Sequence, residues 1–335
     1  MPTRRQLLPA AMSCRIGRRR LVLALAAAMP LGSFAQPQRP RIGILSPRSL
    51  EESVLSPHVV HRLAELGYRD RQAMTLHYKS ADGRADHFPA LARQLVTAKC
   101  DLVFALGPQQ AATAFRDLQS GIPLVFYAVD FDPVRAGLIK NLTRPEGPVT
   151  GVYVPQDALV AKRFELLREV VPSARRFLVL ADVFTPHQLA AARTVASKSG
   201  FQLTEVEFAR PPYDLESAFQ AGRNANVEGV MTLTSPTLFQ QAESMATLAQ
   251  KHRLPSIGTG AFADRGILLG YGQHLTKGAR RTAEIGVRIL KGTKPELIPV
   301  EQDDEFELAI NAATARQLSI RIPESLRARA VRIVG

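Results

Sequence analysis

The run GIPLVFYAVDFDPVRAGLIKNLTRPEGPVTGV, residues 121–152, decides the fold. It reads as a buried strand from Pro123 to Tyr127, then an irregular acidic segment, then a turn-rich run that ends in Thr150, Gly151 and Val152. A strand that ends in aromatic and acidic residues and opens into loop is how an α/β sheet presents a ligand site. Such sites lie outside the carboxyl ends of the strands.

Upstream, RIGILS (41–46), MTLHY (74–78) and DLVFALG (101–107) read as three more buried strands, with IPLVFYAV (122–129) as the fourth. Between them the apolar residues recur at helical spacing: Val59, Val60, Leu63 and Leu66, then Phe88, Leu91, Ala92, Leu95 and Val96, then the stretch from Ala111 to Leu118. Ser56-Pro57 reads as a helix start with Ser as N-cap, and Gly67 as its stop.

Downstream the alternation restarts. Ala158–Val170, Pro186–Ser199, Leu215–Ala225 and Pro236 to about His252 read as helices. RFLVLAD (176–182), FQLTEVEF (201–208), EGVMTLTS (228–235), LPSIGTG (254–260) and GILLGYG (266–272) read as strands. The tail holds a helix from Thr276 to Leu290, an extended acidic run LIPVEQDDEFELAIN (297–311), a short helix from Ala312 to Leu318, and a closing IRIP (320–323). Strand–helix alternation of this kind predicts an α/β protein with mostly parallel sheets covered by helices on both faces, here as two doubly wound lobes. A tail that returns from the second lobe to the first supplies a hinge, and hinge closure around a ligand is a mechanical use of that layout.

Apolar residues make up 46% of the 335 and aromatics 6%, with no Trp, as in a globular chain with an aliphatic core. The formal charge of +13 raises the question of nucleic acid. Residues 1–35 hold six Arg and no acid, so without them the charge falls to about +7. The remaining basic residues are spread along predicted helix faces, which is a solvated surface. Those 35 residues themselves read as an export signal. Arg18, Arg19 and Arg20 form the basic start, LVLALAAAMPL (21–31) the apolar segment, and Ser33-Phe34-Ala35 the cleavage site, which places the mature start at Gln36. Arg4-Arg5 and Arg18 to Arg20 leave a twin-arginine route open, and Met12 is an alternative start. Cys14 departs with the signal, so Cys100 is alone and no intramolecular disulfide is expected.

The sequence holds no Walker loop, no complete dinucleotide glycine motif and no G-x-S-x-G elbow. His58 and His61 share a predicted helix face, but a metal site needs further ligands and none is evident. Asp130 and Asp132 admit three readings: paired carboxylates for acid/base work, turn formation at Asp132-Pro133, or contact with a ligand's cationic or hydroxyl group. The strand-end loops are the ligand candidates: Ser46-Pro47, Gly107 to Gln110, Tyr127 to Asp132, Asp182 to Thr185, Thr234 to Pro236, and Phe262. Ser46 and Gln109 are expected as hydrogen-bond donors and Asp132 as the partner of an ammonium or hydroxyl. Tyr127, Phe184 and Tyr271 are expected as walls, with Gly107, Gln110, Ser235 and Phe262 beside them.

These residues resemble a family. RIGILSP (41–47), ELGYRDRQAMTLHYKSADGRAD (65–86), IPLVF (122–126), DPVRAGLIKNLTRPEGPVTGV (132–152), AKRFELLREVVP (161–172), AQKHRLPSIG (249–258), ILKGTKP (289–295) and FELAINAATARQLSIRIP (306–323) look like the bacterial ABC-transporter substrate-binding proteins of the tryptophan/tyrosine type. The resemblance implies a type I periplasmic binding fold, two lobes joined by a three-crossing hinge, and a small molecule held in the cleft. It also implies a periplasmic location and an ABC permease of the inner membrane as partner. The lobes are expected at 36–153 plus about 273–298 and at 154–272 plus about 299–335, after a signal peptide at 1–35. No enzymatic activity, cofactor, metal or nucleic acid is expected, and the chain is expected to be a monomer. A periplasmic ligand-sensing subunit for a membrane receptor is the alternative. Family members commonly have Thr-Pro-Ala where this chain has Pro108-Gln109-Gln110, and often Asn-Pro where it has Asp182-Val183. Its first loop is short and acidic at Glu51-Glu52. These departures fall on the ligand loops, so an amino acid or related carboxylate is expected without the aromatic label.

Overall fold

Continuous apolar runs become the inner strands of two sheets, because a parallel strand with helices on both sides has no face left for water. The computed structural model describes residues 39–335. The expected signal peptide and the mature start at Gln36 lie outside the described residues.

The first lobe is built from β1 (Arg41–Ser46), α1 (Ser56–Glu65), β2 (Thr75–Ser80), α2 (Phe88–Thr97), β3 (Leu102–Gly107), α3 (Gln109–Arg116), β4 (Leu124–Ala128) and β5 (Val149–Tyr153). The second holds α4 (Gln156–Val170), β6 (Arg176–Asp182), α5 (Pro186–Ser199), β7 (Gln202–Phe208), α6 (Leu215–Asn224), β8 (Gly229–Thr232), α7 (Pro236–Gln240), α8 (Ala242–Lys251), β9 (Ser256–Gly258) and β10 (Leu269–Gln273). Then come α9 (Leu275–Leu290), β11 (Glu301–Gln302), β12 (Phe306–Asn311), α10 (Ala312–Gln317), α11 (Glu324–Arg329) and β13 (Arg332–Val334).

The first sheet has six strands in the order β11-β5-β4-β3-β1-β2, all parallel. The second has seven, β13-β12-β10-β9-β8-β6-β7, with β10 and β12 the antiparallel pair. The period of two sorts each strand between two cores. On β3, Leu102, Phe104 and Leu106 pack with α1 and α9, while Val103 and Ala105 pack with α2 and α3. On β6, Phe177, Val179 and Ala181 face α4 and α5, and Leu178 and Leu180 face α6 and α8.

The chain passes between the sheets three times: at 154–155, at His274 where β10 leads into α9, and at 303–305. α9 lies on the first sheet, with Ala279, Ala283 and Ile285 in its core. The last crossing falls later than the expected break near 298, because Glu301–Gln302 pairs with Val152 and Tyr153 of the first sheet. Three local expectations also change. The turn-rich 149–152 is a strand. Ser56 is the first residue of α1 and Leu55 its N-cap, because the Ser56 hydroxyl is committed to Ser46 and Ser53. The closing strand is Arg332–Val334 on β12, while 320–323 stays irregular.

Candidate functional site

Both sheets point the carboxyl ends of their parallel strands at the boundary between the lobes. An apolar cavity of about 30 Å³ lies there. Val54, Leu55, Gly107, Val129 and Leu275 line it from the first lobe; Thr234, Ser235, Pro236, Phe239, Thr259 and Phe262 line it from the second. That is room for about one water and roughly a tenth of what a site burying a small molecule needs. The lobes are in contact around it, and the cavity as it stands has no room for a small-molecule solute.

Several contacts join the lobes. The Gln110 side-chain amide donates to the Val183 carbonyl at 3.1 Å, and His187 Nε2 meets Gln109 Oε1 at 2.8 Å. The Gln240 amide donates to the Glu52 carbonyl. Phe184, on the second lobe, is buried in the first lobe's cluster with Ala111, Phe126 and Phe131. The Asp130 carboxylate, just beyond β4, accepts from the backbone N–H groups of His187 (3.4 Å) and Gln188 (3.2 Å) in the first turn of α5. Burial pushes the Asp130 carboxyl up to about 8, against the pull of those donors, and Asp182 adds to the rise.

Of the sequence-predicted residues, the structure gathers Gly107, Ser235 and Phe262 at the interlobe cavity. Gly107 ends β3 with φ +100, a conformation that a side chain would strain. Ser235 caps α7, accepting from the Thr237 and Leu238 N–H groups, and its hydroxyl donates to Asp182. The Asp182 carboxyl also accepts from Tyr213 Oη and the Phe184 N–H, both at 2.9 Å, and burial raises it to about 6. Phe262 stands edge-on to Phe239, centroids 5.4 Å apart. Gln109 and Asp132 line a second cavity of about 320 Å³ beside the 154–155 crossing, together with Asp130, Arg135, Gln156 and His187. Asp132 takes the turn-forming reading there: Oδ1 accepts from the Val134 and Arg135 N–H groups at 2.8 and 3.1 Å.

Three predicted residues sit elsewhere. The Ser46 hydroxyl accepts from Ser56 Oγ and the Arg48 N–H, in a network with Ser53 and Tyr78 that folds the 47–55 loop. Tyr127 faces α9, fully buried, and donates to Asp303 Oδ2 at 2.8 Å, so it belongs to the first lobe's core beside the last crossing and is no cleft wall. Tyr271 packs against the cores of both lobes, and its carbonyl accepts from Arg163 Nε at 2.8 Å. A surface depression of about 370 Å³ between α9 and β11 is lined by residues such as Arg281, Glu284 and Glu301. Its charges are already paired with each other, which makes it a poor solute site.

The residues missed from sequence are Thr259, Phe239, Leu275 and the buried polar trio Gln156, Arg163 and Gln273. Arg163 left a signal: it interrupts the apolar stripe Leu159, Val160, Phe164 and Leu167 of α4. Among the described residues no group of three or more His, Cys, Asp or Glu side chains is gathered as a metal site would require, and no helix is long and apolar enough to cross a membrane.

Known proteins share this architecture. A conserved-domain protein from Vibrio cholerae O1 biovar El Tor superposes with a TM-score of 0.78 at 26% identity, over 88% of this chain and 100% of that one. An ABC domain in complex with L-Trp from Streptococcus pneumoniae gives 0.75 at 23% identity, again over 88% and 100%. A tyrosine-binding protein of Clostridioides difficile is 25% identical over 280 residues, which are 78% of this chain and 75% of that protein. The profile of the ABC transporter substrate binding protein family matches residues 49–334, and the chain belongs to that family.

Proposed function

We propose that this chain is an exported receptor that closes its two lobes on a small molecule, an amino acid or related carboxylate, and presents it to an ABC permease. The observation that carries the reading is the closed cleft itself. Strand-end loops of both lobes line one small cavity, and the lobes meet through individual hydrogen bonds and one inserted ring that can separate and re-form. Binding by closure needs no bond-making chemistry. Residues 1–35 supply the export signal, and the mature chain works as a periplasmic monomer. The relatives that bind tyrosine and hold L-Trp support an amino acid. The aromatic label itself is not carried over, because Pro108 to Gln110 and Asp182-Val183 alter the loops that meet the solute.

The test is a thermal-shift panel of the proteinogenic amino acids and small carboxylates on the mature protein. A solute at 100 times its Kd adds about 2.7 kcal/mol of stability. It should also leave the radius of gyration at the closed value while the free protein expands. A panel in which no amino acid or carboxylate moves the melting temperature sinks the reading.

A further inference from the structure

Arg163 is fully buried, on the second turn of α4. Its Nε is satisfied by the Tyr271 carbonyl, while Nη1 and Nη2 have no hydrogen-bond partner. It forms no salt bridge with a carboxylate among the described residues, whereas the partly buried Arg48 and Arg62 pair with Glu52 and Glu284. An uncompensated guanidinium in a protein interior costs several kcal/mol, so the arrangement calls for an anion that arrives from outside.

The surroundings point the same way. Side chains on a helix lean toward its N-terminus, and α4 starts at the 154–155 crossing, so Arg163 leans toward the cleft end of the lobe. Gln156 lies seven residues earlier on the same helix face, and Gln273 ends the neighbouring β10. Both are nearly fully buried, and both atoms of both side-chain amides lack partners. So do the hydroxyls of Thr234 and Thr259, which line the interlobe cavity. Gly272 ties the guanidinium to that cavity. A Cβ added there would sit 2.5 Å from Thr259 Oγ1 and 3.1 Å from Arg163 Nη2, so the absence of a side chain leaves the two groups facing one small space. Buried polar groups are nearly always paired, and an unpaired guanidinium that meets an unpaired hydroxyl beside the interlobe cavity makes a candidate site.

Resting on the reading of the chain as a solute receptor, we propose that Arg163, with Thr259 beside it, is the anion subsite of the cleft, and that it takes a carboxylate of the solute on its two terminal nitrogens. The fork of a guanidinium matches the two oxygens of a carboxylate. The solute's apolar body then lies along Leu55, Val129, Phe239 and Phe262. Burial lowers the Arg163 guanidinium to about 9, which keeps it cationic at neutral pH.

The experiment titrates wild type, Arg163→Met and Arg163→Lys with three kinds of probe: the amino acids, the matching amides and decarboxylated amines, and sodium propionate as a bare carboxylate. Wild type should bind acids and not their amides or amines. Arg163→Met should lose about 10- to 100-fold in affinity for the acid, the range of a hydrogen-bonded charge pair. Arg163→Lys, which keeps the charge without the fork, should lose less. The ligand-free Arg163→Met protein should melt at the same temperature or higher, since it sheds an unpaired buried charge; an arginine with a merely structural role would lower it. Equal affinity of wild type and Arg163→Met for an acid overturns the subsite and leaves the receptor reading intact. Propionate stabilising wild type but not Arg163→Met, with no amino acid bound, keeps the subsite and removes the amino-acid class. No carboxylate stabilising wild type overturns both.

Discussion

Phe184 is a ring that the second lobe seats in the first. It grows from the loop after β6 in the second lobe, yet it is 1% exposed inside the first lobe's cluster. Truncating a buried Phe costs about 3–5 kcal/mol, and under the proposed closure only the closed form holds the ring, since parting the lobes would return it to water. Phe184→Ala should therefore leave the melting temperature of the ligand-free protein nearly unchanged. It should enlarge its radius of gyration in small-angle scattering and weaken solute affinity by at least about tenfold. A variant that is destabilised but no more open would mean that the ring is core in both states. At this scale the sequence was legible where a residue's type is tied to its place on a strand end: Gly107, Ser235 and Phe262 do reach the cavity. It was not legible where partners come from distant elements. Tyr127 reads as a wall by its strand-end position, but the strand's period turns it to α9, and its acceptor, Asp303, lies 176 residues away.

At the scale of elements, α9 is the piece most tightly specified by space. Gly278 and Gly286 lie two turns apart on its sheet side. A Cβ on Gly286 would stand 2.3 Å from Phe104 Cζ and 3.0 Å from Leu102 Cδ2. Replacing a mid-helix Gly by Ala gains about 1 kcal/mol in an exposed helix, whereas overpacking a core costs about 1–3 kcal/mol. Phe104 is fully buried in a central strand and has nowhere to swing, so crowding wins. Gly286→Ala should lower stability by about 1–2 kcal/mol in urea unfolding, while Arg288→Ala on the exposed side of α9 should stay within about 0.5 kcal/mol. A rise in stability for Gly286→Ala would show that the helix slides to make room. The same local physics explains which elements could be read beforehand. β1, β3 and β4 are nearly continuous apolar runs and declare themselves. β5 is five residues long, follows a proline-rich turn, and carries Gly151 where a Cβ would meet the Phe126 carbonyl at 2.1 Å. β11 and β13, of two and three residues, have no period to detect. Which sheet a two-residue bridge joins is decided by its partner, so the place of the last crossing was not readable from its own residues.

For the whole molecule, the proposed opening and closing of the lobes should be coupled to protons through Asp130. In the closed form its carboxylate meets the His187 and Gln188 N–H groups at the start of α5, with Asp182 near it and Asp132, Arg135 and Asp157 lining the adjoining cavity. A helix N-terminus favours the anion, but burial is the larger effect, and the closed-state value of about 8 lies well above that of a carboxyl in water. When the lobes part, Asp130 returns to water and to its ordinary acidity. The sign follows: the closed form binds the proton more tightly, so its advantage from Asp130 is full below about pH 4 and is lost as pH rises through about 8. Within that window each pH unit is worth at most about 1.4 kcal/mol, or a tenfold change in the closed-to-open ratio. Asp182 is bonded to Ser235 and Tyr213 within its own lobe, so it stays buried on opening and contributes little to this difference. The ligand-free protein should expand in small-angle scattering as pH goes from 5 to 9. Asp130→Asn, which cannot ionise and still offers an oxygen to one N–H, should remain at one size across the range. If the wild type instead contracts with rising pH, the α5 N-terminus outweighs burial at Asp130, and the carboxylate is a clasp that works in its charged form.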